Sequence, residues 1–199
     1  MHYRIFDLEI LRTIEEVGGW DATDKMGVSC CVVYDSKSRS FRVFGDSDET
    51  RATEYILDCD LVVGFNHVNF DWRVLLGIPR SVDIRSTVPY ISKPQYDILT
   101  EVRKAAGVTT YEKGHKLEQI AQVNLGRGKR MSGELAPVAW KAGKYCDVID
   151  YCIDDVALTR DLFEMILDRA DFKDPRTMKN LFLPDPDTFK ADWEEARRV

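Results

Sequence analysis

The chain lacks any apolar run of the roughly 18 positions that a membrane-spanning helix needs. Its opening residues reach Asp7 and Glu9 too early for the apolar core of a signal peptide, so a cytoplasmic protein with no membrane partner is expected. Histidine is scarce, and the five cysteines, Cys30, Cys31, Cys59, Cys146 and Cys152, form no Cys-x-x-Cys pair and have no histidine at zinc-site spacing. They read as reduced core or surface thiols, with no set that competes for a soft ion. Neither Gly-x-x-x-x-Gly-Lys-Ser/Thr nor Gly-x-Gly-x-x-Gly occurs, which argues against a phosphate-loop or dinucleotide-binding protein. Positive charge is in deficit too: 28 Lys and Arg face 34 Asp and Glu, for a net charge of −6. Gripping nucleic acid by bulk electrostatics is therefore disfavoured. That objection weakens where carboxylates hold divalent cations, because the ions then become the largest positive charges in the site.

What is present suits one core rather than two: 199 residues with 44% hydrophobic content. Residues 3–9 and the β-branched run 28–35 read as strands, and Ser40 to Phe44 pairs back after the polar turn that starts at Asp35. Asp48 offers an N-cap to a helix over 49–58. The short run Leu61 to Phe65 reads as a strand buried on both faces, followed by a helix from Asn69 to Leu76. Helical spacing recurs over 95–106, 116–124 and 144–169, and a short polar helix is expected near 188–197 after Pro175, Pro184 and Pro186 break the pattern. Strands first and helices later, with one βα crossover, predict a mixed sheet with helices on its faces.

Three groups of residues can carry chemistry. Asp7 and Glu9 stand two apart on a strand and so share a face, among apolar neighbours that make the pair expensive to bury without cations or hydrogen bonds. The bland alternative is an edge strand with solvated acids. Asp71 follows the buried strand, where ligands gather in open α/β sheets, though a first-turn acid also suits the helix dipole. Asn66 is either a turn former or a group that orients substrate, and His67 reads as structural. Tyr151 and Asp155 are four apart on the long helix and share a face, while Asp147, Asp150, Asp154 and Asp161 mostly lie on others. Alone, Tyr151 could equally be a core-edge aromatic.

In order, Asp-x-Glu, Asn…Phe-Asp and Tyr-x-x-x-Asp resemble the three exonuclease motifs of the DEDD superfamily, in its tyrosine branch. The segments at Asp97-Ile-Leu, Lys116-Leu-Glu-Gln-Ile-Ala, Leu125-Gly-Arg-Gly-Lys129 and Tyr151-Cys-Ile-Asp-Asp-Val, with the Glu15-to-Trp20 insertion, look like bacterial stand-alone relatives of the family B DNA polymerase proofreading domain. The resemblance covers about residues 1–170 and leaves 171–199 as a partly helical extension. It implies a single-domain ribonuclease H-like α/β fold and a 3′–5′ exonuclease. Asp7, Glu9, Asp71 and Asp155 would hold two Mg²⁺ or Mn²⁺ ions, with Tyr151 positioning the attacking water. The all-oxygen set suits hard ions, and a tyrosine with an ordinary pKa near ~10 orients water better than it deprotonates it.

The implied substrate is single-stranded nucleic acid with a free 3′ end, DNA favoured. Trp20 and Phe70 could stack on terminal bases, and Lys113, Lys116, Arg127, Lys129 and Arg130 form a basic stretch that is either a phosphate contact or a solvated loop. An exoribonuclease or structure-selective endonuclease of the same fold is the alternative enzyme, and a non-catalytic nucleic-acid-binding subunit the alternative of another class.

Overall fold

Strand β1 (Tyr3–Ile10) organises the molecule, because its two faces differ in sequence. Tyr3 and Ile5 join one hydrophobic cluster, and Phe6 and Leu8 join the other. In the computed structural model, which describes residues 1–84, 92–108, 113–128 and 135–196, β1 is the middle strand of a five-stranded sheet. The order is β3 (Ser40–Gly45), β2 (Val28–Asp35), β1, β4 (Leu61–Gly64), β5 (Gln95–Asp97). β2 and β3 pair antiparallel as a meander, whereas β4 runs parallel to β1, with Ile5 opposite Val63. The acids of β1 therefore sit on a central strand and not on an edge. The register slips between Glu9 and Ile10, which face Cys30 and Val28. The intervening Ser29 donates its hydroxyl to the Glu9 carbonyl at 3.0 Å, so a bulge marks the end of β1.

Helices cover both faces. Against Phe6 and Leu8 lie α2 (Glu49–Leu57), through Ala52 and Ile56, and α3 (Asp71–Leu75), through Trp72, Val74 and Leu75. Against Tyr3 and Ile5 lies α7 (Tyr145–Leu167), whose buried stripe runs Val148, Cys152, Val156, Thr159, Phe163 and Ile166 at three- and four-residue spacing. Around it pack α4 (Ile98–Ala105), α5 (Leu117–Leu125) and α6 (Ala136–Lys141). Each fully buried Ile, Leu or Phe of these layers contributes about 1.5–3 kcal/mol, which offsets the cost of holding acids at the strand ends.

Several boundaries differ from expectation. Residues 95–106 are not one helix: Gln95–Asp97 forms the edge strand β5, and Asp97 caps α4 by accepting from the Thr100 amide at 3.2 Å. α3 begins at Asp71 and not at Asn69, because Asn69 and Phe70 form a turn whose amides both bond to the Asn66 carbonyl. Asp48 holds the N-cap position of α2 but turns its carboxylate to Arg51 at 2.8 Å, not to the helix amides. The short helix α1 (Ile14–Val17) is closed by a capping box between Thr13 and Glu16. Past α7, Phe172–Lys173 (β6) and Asn180–Leu181 (β7) make a two-stranded hairpin, and α8 (Pro186–Ala196) follows. This segment docks on the domain: Phe172 is in the core, Phe189 packs on Tyr96 with ring centres 5.0 Å apart, and the Tyr96 hydroxyl donates to the Pro184 carbonyl at 2.7 Å. Among the described residues no helix is long and apolar enough to cross a membrane.

Candidate active site

The face of β1 that packs on α7 turns from Tyr3 and Ile5 to Asp7 and Glu9 as the strand leaves the core. Parallel pairing brings the C-terminal end of β4 alongside, so the loop that follows it delivers Asp71 to the same place. α7 crosses behind and supplies Tyr151 and Asp155 one turn apart. All five side chains line a single cleft of about 1420 Å³. Glu9, Asp71, Tyr151 and Asp155 are buried, and Asp7 is half-buried.

Burial is the main force on Asp71: it pushes the carboxyl well above its ordinary pKa, and the negative charge of Asp7 pushes the same way. Two neighbouring acids that cannot comfortably both ionise are what a divalent cation stabilises. The donor chemistry fits such an ion, with one addition that the sequence did not disclose. Ligand atoms of Asp7, Glu9 and Cys152 lie within 4.8 Å of one another. Asp71 and Asp155 line the same cleft without joining that tight group. The Cys152 thiol donates to the Asp7 carbonyl at 3.5 Å and lies 3.9 Å from Asp7 Oδ2. Cys152 is thus a reduced core thiol, as expected, that the sequence did not place beside the acids. Residues 145 apart in sequence meet because α7 packs across β1. Burial, and next a hydrogen bond with Cys30, pushes the Cys152 thiol well above its ordinary value, so it stays protonated at neutral pH. The described cysteines form no disulfide, and only Cys146 is exposed.

The loop between β4 and α3 is tightly held. Asn66 adopts a left-handed φ of 64°, tolerable for Asn, and its amide donates to Asp97 Oδ1 at 3.0 Å. The Val68 amide donates to Asp97 Oδ2 at 3.2 Å. A Cβ on Gly64 would lie 2.6 Å from the His67 ring, so only glycine admits the buried imidazole there. His67 Nε2 reaches Gln95 Oε1 at 3.1 Å, which also accepts from Trp72 Nε1 at 2.9 Å. Burial lowers the His67 pKa, which leaves it a neutral framework group. Asp97, noted in the sequence only within the Asp97-Ile-Leu segment, could have been read as an N-cap from the Asp97-x-x-Thr100 spacing, whereas nothing local signals the role of Gln95.

Asn66, Phe70 and Trp20 line the cleft as well. Phe70 is half-buried and Trp20 is 53% exposed, with ring centres 6.0 Å apart in an edge contact. Of the basic stretch, Lys113 and Lys116 line the cleft, whereas Arg127 pairs with Asp161 and does not. Lys129 and Arg130 lie outside the described residues. Two further cations, Arg103 and Arg176, join the lining from α4 and from the hairpin turn.

No family model matches the chain, and no curated protein matches it. The fold is nevertheless of a definite class: an α/β, ribonuclease H-like domain with a mixed five-stranded sheet flanked by helices. Among solved structures it is similar to the family B DNA polymerase from the hyperthermophilic archaeon Pyrobaculum calidifontis, with a TM-score of 0.61 and 22% identity. The match covers 84% of this chain and 24% of that one, so the chain spans about a quarter of the polymerase's length.

Proposed function

We propose that the protein is a metal-dependent 3′–5′ exonuclease that removes nucleoside 5′-monophosphates from the 3′ end of single-stranded nucleic acid, with DNA favoured. The observation that supports this reading most is convergence. Three separate segments, each with one of the motifs that resemble the DEDD exonucleases, place Asp7, Glu9, Asp71, Tyr151 and Asp155 in one cleft, on a fold like that of part of a family B DNA polymerase.

Asp7, Glu9, Asp71 and Asp155 are the groups to hold two Mg²⁺ or Mn²⁺ ions. When bound, such ions supply acidification of water and charge stabilisation at the phosphate. The protein's own residues do the positioning. Asp97 fixes the loop that carries Asn66 and leads into Asp71. The Tyr151 hydroxyl, held by a helix packed across β1, orients the water for in-line attack at phosphorus. Trp20 and Phe70 offer ring surfaces at the cleft's edge on which a terminal base can stack, a sequence-tolerant contact.

The test is degradation of 3′-labelled and 5′-labelled DNA and RNA strands in Mg²⁺, Mn²⁺ or EDTA. Stepwise shortening from the 3′ end, abolished by EDTA, is expected. Internal cuts would assign an endonuclease, stronger action on RNA an exoribonuclease, and tight binding without hydrolysis a non-catalytic subunit.

A further inference from the structure

The cleft has two walls of opposite character, and only the acidic one is accounted for above. The other is built by Lys113 and Lys116 just before and at the start of α5, Arg103 from α4, and Arg176 from the turn between β6 and β7, with Glu118 as its one acid among the described residues. Arg176 lies beyond the helix that carries Tyr151 and Asp155, in a segment that the exonuclease resemblance does not cover.

A hairpin of two two-residue strands has little stability of its own. This one is fixed by side chains from the body of the domain. His115, in the same wall, is buried and holds Asp174 at 3.0 Å, itself 3% exposed. Asp174 also accepts from the Arg176 amide and the Thr177 hydroxyl, both at 2.9 Å. On the other side Asn124, at the end of α5, bonds both ways to Lys173: its amide donates to the Lys173 carbonyl at 3.0 Å, and its carbonyl accepts from the Lys173 amide at 2.7 Å. The Arg176 side chain then lies over Gly114, where an added Cβ would sit 2.5 Å from Arg176 Cγ. Gly114, at a φ of 113° that favours glycine, leaves the passage through which Arg176 reaches the cleft beside Lys113 and Lys116.

We propose that the 172–181 hairpin is a nucleic-acid-binding element, in which Arg176 joins Lys113 and Lys116 as a track for the phosphates upstream of the 3′ end. His115 and Asp174 are positioning residues that set the hairpin turn. The inference rests on the reading of the cleft as a nucleic-acid site, and it explains how a chain of net charge −6 holds a polyanion. Four cations, Arg103, Lys113, Lys116 and Arg176, line the cleft itself, so local charge there can differ in sign from the net charge of the chain.

Binding in EDTA isolates this wall from any metal. Fluorescence anisotropy of a short 5′-labelled oligothymidylate, titrated over a range of KCl, gives a slope of log affinity against log salt of about 0.7 per single-strand phosphate contact. Arg176→Gln should reduce that slope by about 0.7, and the triple variant Arg176→Gln, Lys113→Gln, Lys116→Gln by about 2. Arg169→Gln, which removes an exposed cation paired to Asp185 outside the cleft, should leave it unchanged. Asp174→Asn should lower the slope as Arg176→Gln does, with added loss of the variant's melting temperature. A triple variant that melts like wild type and keeps the wild-type slope overturns the proposal, as does an equal loss in Arg169→Gln. Absence of hydrolysis would sink the exonuclease reading alone, because these titrations contain no metal and score no cleavage.

Discussion

The sheet buries acids at both of its ends and treats them in opposite ways. Where β1 begins, Asp35 is surrounded by donors: Arg4 Nε and Nη2, each at 2.8 Å, the amides of Lys37 and Ser38, and the Tyr55 hydroxyl. Its burial would raise the carboxyl's pKa, but these donors outweigh burial and hold it well below the ordinary range. Where β1 ends, Asp71 is buried beside Asp7, and its pKa rises. A structural carboxylate is satisfied by the fold itself. At Asp71 burial and the charge of Asp7 outweigh the backbone hydrogen bonds that oppose them, and a balance of that sign is what marks a candidate functional carboxyl rather than a cross-link.

The contrast is broken most forcefully at the cleft. Asp7→Ala or Asp155→Ala should reduce hydrolysis of a 3′-labelled strand by roughly three orders of magnitude or more, about 4 kcal/mol of barrier, while the folded state survives. Gel assays beside circular dichroism check both halves. Near-wild-type turnover by purified Asp7→Ala would remove the metal assignment.

At the other end the expectation reverses. Arg4→Gln leaves the Asp35 charge buried without its main partner and should cost about 3–5 kcal/mol in urea unfolding. Activity per folded molecule should stay at the wild-type level. A matched apolar replacement of both Arg4 and Asp35 should recover much of the lost stability, since such pairs serve placement more than net stability.

A smaller effect tests the orienting role of tyrosine. Tyr151→Phe keeps the ring's packing and removes only the hydroxyl, so a loss of about 10-fold to 100-fold, the range for orienting partners at metal sites, is expected in single-turnover rate. Strand affinity should hardly change. Wild-type single-turnover rates in Tyr151→Phe would make the ring purely structural.

The acids were legible from sequence for reasons tied to geometry. Asp7 and Glu9 show period-two alternation on an otherwise apolar strand, and Tyr151 and Asp155 show four-residue spacing on an uninterrupted helix, so local periodicity already states which side chains share a face. Asp71 was readable only as a position, just after a buried strand, yet that position is where parallel pairing carries it. What stayed hidden depends on crossings between distant segments. Cys152 meets Asp7 only because α7 packs on β1. Arg176 reaches the cleft over Gly114 only because His115 and Asn124 pin a hairpin too short to have any periodicity. β5 was absorbed into the helix after it, because three residues ending in an N-cap carry no strand signal of their own.

The smallest effect is also the one that addresses the contrast most directly, the stability of the metal-free protein. A carboxyl whose pKa is raised on folding binds its proton more tightly in the folded state than in the unfolded one. Its contribution to stability is full below the unfolded value, near ~3.9, and is lost as pH rises through the folded value. Asp35 has the opposite sign: its contribution is present above ~3.9 and disappears as the pH falls through its depressed folded value, so it is flat across the neutral range. His67, with its lowered pKa, adds stability as pH rises towards ~6.5 in wild type and variant alike, and so cancels in a comparison between them. Asp71→Asn keeps the side chain's shape and removes the charge beside Asp7. In EDTA at neutral pH it should therefore melt higher than wild type by a few degrees, about 1 kcal/mol for a domain of this size. The difference should shrink as pH falls towards 4. Adding Mn²⁺ should invert the order, because ions that bind only the folded state stabilise it by mass action and wild type offers the fuller ligand set. An Asp71→Asn variant that melts below wild type in EDTA would show that Asp71, like Asp35, is held by donors of the fold, and the two ends of the sheet would then differ in position but not in kind.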